Sequence, residues 1–247
     1  MGYDKGPSLP GARIEDADFS GARLHAPNFD GAKITDGWFY GADISGNLQG
    51  LRLNGVEVAP LVMAELDRRF PERGKLRATD PDGLTEAWDL IEDIWGATVL
   101  RARALPLPAL FERVDDEWSF VETLRHLVMA TDCWLRRMVK GIERPYHPWD
   151  LAGSWLTDPA AWGIDPAANP SLDDVLALRR ERMDEVGQTI AAVTPDELAR
   201  VCAPPQAPGH PTRSHTVLEC LHVILDEEWE HHRYAVRDLE TLEARAD

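Results

Sequence analysis

The stretch from Leu218 to Leu239, LECLHVILDEEWEHHRYAVRDL, decides how the C-terminal part of the chain folds. Its apolar residues recur at intervals of three or four: Leu218, Leu221 and Leu225, then Ala235, Leu239 and, just beyond, Leu242. That spacing lines one face of an α-helix, and the seam is interrupted only by Glu228 and His232. Thr216 followed by Glu219 forms a capping-box pair, so the helix opens there. A carboxylate set among leucines is costly unless it is paired or bound to a metal, so Glu228 needs a partner. Glu228 and His232 lie one turn apart on one face, which lets both reach a single ion. A buried hydrogen bond from Glu228 to an arginine or histidine meets the same need.

Three more helices are predicted upstream. Asp80-Pro81 supplies an N-cap and a proline at the first helical position, opening a helix to about Leu105 with Leu84, Trp88, Ile91, Trp95 and Val99 on one face. Ser119 with Glu122 opens a second, to about Lys140, and Ser171 caps a third, to about Val193. Four such helices make an all-α four-helix bundle the expected fold over residues 81–247. Residues 141–170, rich in Pro, Gly and Trp, form a connection between the second and third helices long enough to cross the bundle. Trp149, Trp155 and Trp162 either line a pocket mouth there or anchor the loop. On the second helix the apolar face runs through Leu124, Leu127, Thr131, Trp134 and Met138, with His126 on its flank beside Ala130 and Cys133.

The N-terminal segment has a different period. From Ala12 the chain falls into fives, with Ile14, Phe19, Leu24, Phe29, Ile34, Phe39 and Ile44 at the centres and mostly alanine two positions before. One large and one small inward position per five residues suits a stacked coil. The segment looks like a short right-handed pentapeptide-repeat β-helix, expected within residues 1–60. Residues 61–80 then read as a capping helix and a linker, because PERGKLRATDPDG is rich in Pro, Gly and charge.

The chain has 247 residues and a formal charge of −17, which disfavours nucleic acid as a partner. Residues 1–60 hold eight acidic and five basic side chains, so the acidity lies mainly in the helical part. No apolar run approaches the roughly 20 residues of a membrane helix, no signal-peptide pattern opens the chain, and Cys133, Cys202 and Cys220 are widely spaced. These features predict a cytoplasmic protein with no membrane partner and no disulfide framework.

Two segments, WSFVETLRHLVMATDCWL at 118–135 and the quoted stretch on the fourth helix, carry a resemblance. Over about residues 81–245 the chain resembles the DinB superfamily of metal-binding four-helix bundles, which includes the mycothiol-dependent maleylpyruvate isomerases. The resemblance implies a divalent metal, zinc first and nickel second, held by one histidine of the second helix and a pair spaced by three residues on the fourth. On this chain those positions are His126, Glu228 and His232. Many members have histidine where Glu228 stands, and the departure matches the isomerase-like variant. Two imidazoles, a carboxylate and an open fourth position are typical of a catalytic site. The implied function is a thiol-dependent transferase or isomerase acting on a small electrophile, with a low-molecular-weight thiol as co-substrate and Trp155 and Arg233 as candidate substrate contacts. The alternative is a metal-binding or stress-related protein without turnover, whose repeat coil docks a partner or makes a homodimer.

Overall fold

A computed structural model describes residues 6–153 and 155–246; residues 1–5, with which the expected N-terminal domain begins, Ser154 and Asp247 lie outside the described residues. The chain divides into two units, Met1–Leu61 and Val62–Asp247.

In the first unit the fives fold as pairs. A turn recurs every ten residues, with the amides of Ala12, Ala22, Ala32 and Ala42 donating to the carbonyls of Leu9, Phe19, Phe29 and Phe39. Each turn carries a glycine at positive φ, Gly11, Gly21, Gly31 and Gly41. Among the described residues of this unit the only ladder is a hairpin pairing β1 (Arg52–Leu53) with β2 (Val56–Glu57) through Asn54-Gly55, both at positive φ. The expected closed β-helix is therefore corrected. A stacked coil would bury its central row, yet Ile14, Phe19, Leu24, Phe29, Ile34, Phe39 and Ile44 are 53–63% exposed. So few repeats give each rung little to pack on.

The second unit is mostly helical, and four of its helices begin at the predicted caps. After α1 (Ala59–Arg69) comes α2 (Pro81–Ala102), whose N-cap Asp80 accepts from the amide of Gly83. α3 (Phe120–Thr131) starts at a full Ser119–Glu122 capping box and continues as a π-helical turn, Asp132–Val139. α4 (Leu172–Ala192) is capped by Ser171, α5 (Pro195–Leu198) is a single turn, and α6 (Val217–Ala246) follows the Thr216–Glu219 pair. A short ladder of β3 (Val201–Cys202) and β4 (His215–Thr216) precedes α6. α3 packs against α4 and α6, and α2 packs against the same two helices. Among the described residues no helix is long and apolar enough to cross a membrane.

The predicted seams form the core. Leu84, Trp88, Ile91 and Trp95 of α2 meet Leu221, Leu225, Ala235 and Leu239 of α6, with Leu124 and Leu127 of α3. The stretch expected as a linker is partly helical, Pro71–Arg77, because Leu76 enters this core and Arg73 pairs with Asp67. A smaller cluster, Met129, Cys133, Tyr146 and Ile164, seats the connection between α3 and α4. There Gly209 lies so near Tyr146 and Arg137 that an added methyl would overlap both.

Candidate metal centre

Adjacent residues of α6 face two environments. Glu228 is 1% exposed, and its carboxylate accepts from both terminal nitrogens of Arg179 on α4, at 3.0 and 2.5 Å. His232 lies against Trp95, and its Nε2 is 2.9 Å from the Thr98 hydroxyl. Burial, followed by the charge of Arg179, holds His232 down at about 4, against an opposing hydrogen bond to the backbone of Ile94. Of the ligand set expected from sequence, Glu228 and His232 thus belong to the inner seam, where the Glu–Arg alternative is realised.

His126 instead meets the residues one position earlier. Glu227 Oε2 lies 3.2 Å from His126 Nε2 and 3.3 Å from His231 Nε2. One ligand atom from each of His126, Glu227 and His231 falls within 4.8 Å of the others, and all three side chains are partly exposed. Burial pushes the Glu227 carboxyl up, but hydrogen bonds from His126 and His231 outweigh it and hold the group well below the usual carboxylate range. His231 is partly buried where the flank of α6 faces the flank of α3.

The other nitrogen of His126, Nδ1, is 3.0 Å from the carbonyl of Leu151. A carbonyl only accepts, so Nδ1 bears a hydrogen, and Nε2, turned toward Glu227, donates to the carboxylate when the ring is doubly protonated. Arg125 holds the same connection one step away, its Nε donating to Trp149 O at 2.7 Å. The indole of Trp118 lies 4.5 Å from the His126 ring and 5.9 Å from that of His231, centroid to centroid. Tyr234 meets His231 edge-on at 6.0 Å.

The expected substrate contacts lie elsewhere. Arg233 sits over Phe70 and pairs with Glu230, two residues round the helix from His231. Trp155, 53% exposed, meets Trp162 and His210. Trp149 packs on His147 and shares a separate cleft with Leu178 and Arg182.

The family model described as the DinB superfamily matches residues 90–235, from within α2 to within α6 and across all three clustered side chains. The chain belongs to the DinB superfamily. Proteins of this superfamily commonly bind metal, and the His–Glu–His cluster of this DinB protein is a donor set suited to that. No curated protein and no solved structure matches the chain.

Proposed function

We propose that this DinB protein holds a divalent metal, zinc first and nickel second, through His126, Glu227 and His231, and uses it in a thiol-dependent transfer or isomerisation of a small electrophile. The observation that carries the reading is His126. Its Nδ1 faces the Leu151 carbonyl and its Nε2 faces the Glu227 carboxylate, two groups that only accept. A neutral imidazole has one N–H and satisfies one of them, so the second contact is met either by the doubly protonated ring or by a cation shared by Nε2 and the carboxylate; the second histidine converging on the same carboxylate favours the cation. A divalent ion bound there supplies Lewis acidity that lowers the pKa of a thiol or water at its open position. The single carboxylate leaves the centre with net positive charge, which favours an anionic fourth ligand such as a thiolate. Cys133, Cys202 and Cys220 are buried and their thiols are raised by burial, so an external thiol suits the nucleophile's role better.

Elemental analysis of the purified protein after incubation with zinc tests the centre. Wild type and His232→Ala retain about one ion per chain, whereas Glu227→Ala and His231→Ala lose it. Undiminished metal in both of the latter overturns the ligand set. Mass spectrometry after incubation with small electrophiles and several thiols tests the reaction, and adduct formation that needs the metal is the expected result.

The exposed apolar row of the first unit favours a second reading, in which the repeat segment makes a homodimer or docks a partner. Sedimentation analysis with Phe19, Phe29 and Phe39 changed to serine tests it; a mass independent of these changes removes the dimer.

A further inference from the structure

Trp118 packs on two members of the cluster and is neither a donor nor part of the inner seam. Its place is fixed from both sides. Ser119, next in the chain, is the N-cap of α3 in a reciprocal capping box with Glu122. Glu117, just before it, accepts from Arg237 of α6 at 2.8 Å. Ahead of these, Asp115 and Asp116 both have positive φ, 53° and 63°, a conformation non-glycine residues adopt at some cost. The strained turn delivers the indole onto both imidazoles, nearly parallel to His231 at 22° and tilted by 39° to His126.

A side chain that touches both histidines flanks any ion the two Nε2 atoms share. We propose that Trp118 forms the wall of the metal's open coordination position and selects ligands that carry a flat, conjugated group next to the coordinating atom. The inference rests on the metal reading above. A planar π-system packs offset on an indole face, whereas a saturated ring of similar bulk lacks that electrostatic complementarity. Tyr234, edge-on to His231, adds a second aromatic surface to the same position.

The test uses the full-length protein loaded with cobalt(II), whose visible spectrum reports the metal's ligands. Phenylmethanethiol and cyclohexylmethanethiol, matched in size, are titrated in turn. The wild type binds the phenyl compound more tightly, by about two- to tenfold for one aromatic contact. Trp118→Leu brings the two affinities together while the cobalt spectrum without thiol stays as in wild type, and Trp118→Phe keeps the preference. Should the leucine variant fail to fold, the phenylalanine variant and wild type still decide whether the preference exists. Equal affinities in wild type, a preference that survives Trp118→Leu, or no spectral response to either thiol overturns the role of Trp118 while leaving the metal centre standing. Failure of wild type to take up cobalt at all removes the metal reading, and this inference with it.

Discussion

Arg179 of α4 grips Glu228 of α6 with both terminal guanidinium nitrogens, and neither side chain is more than 4% exposed. The guanidinium also lies 4.7 Å from the ring of Trp95, whose Nε1 donates to the carbonyl of Glu228. The pair thus joins three helices at one point of the core. Removing one member leaves the other charged and buried, which costs about 3–5 kcal/mol. Arg179→Met and Glu228→Gln should each lower the unfolding free energy by that much, read from urea denaturation curves. Replacing both at once should cost less than the sum of the single changes, and strict additivity would show that the two do not interact.

His232 should make stability depend on pH in a defined window. Its folded pKa is held at about 4 against an ordinary value of 6.5. Above that value the ring is neutral folded and unfolded, so the penalty is absent. As pH falls below it, the unfolded chain takes up a proton that the folded protein refuses until about pH 4. Stability is lost over that interval, by about 1.4 kcal/mol per pH unit at most. Urea midpoints of wild type and His232→Gln across the interval check this, and the variant's profile should be flatter.

Metal affinity should depend on a residue that does not touch the metal position. Arg125 ties down the carbonyl of Trp149, two residues from the Leu151 carbonyl that orients His126. Arg125→Met frees that connection and should weaken zinc binding by about 10- to 100-fold, with the helical circular dichroism retained. Competition with a chromogenic chelator reads the change, and unchanged affinity would show that the Leu151 carbonyl stays in place without the arginine.

The three thiols should be silent in the native protein. Cys133, Cys202 and Cys220 are at most 3% exposed, and burial raises each pKa, that of Cys220 to about 12. Ellman's reagent should find no rapidly reacting thiol until urea unfolds the chain, after which all three react. A fast native phase would place at least one thiol at the surface.

Much of the helical domain was legible because its signals are local. Asp80, Ser119, Ser171 and Thr216 sit at the predicted helix starts, and the apolar residues of the α6 seam are buried from Leu221 to Leu242. Sequence also showed that Glu228 needs a partner. It could not show that the partner is Arg179, which comes from another helix. The structure brings His126 to Glu227 and His231, and not to Glu228 and His232, the two pairs sharing the same spacing of four. Spacing alone does not choose between them. The flank position of His126 was the available signal, since a flank residue of α3 meets the flank of α6, where Glu227 and His231 stand. The β-helix failed for a different reason: a period of five specifies a repeating backbone turn, but burial of the central row needs enough rungs to cover one another.

The π-helical turn of Asp132–Val139 carries one residue more than an α-helical path would, visible in the bond from the amide of Lys140 to the carbonyl of Leu135. That surplus lets Asp132 reach Arg182 on α4 while Arg137 donates to the carbonyls of Pro205 and Ala207. Deleting one residue there would close the wide turn into an α-helical one, which the surplus allows without turning the two flanks far out of register. The segment should therefore accept the loss of a residue other than Asp132 or Arg137 more readily than the continuous α-helices around it.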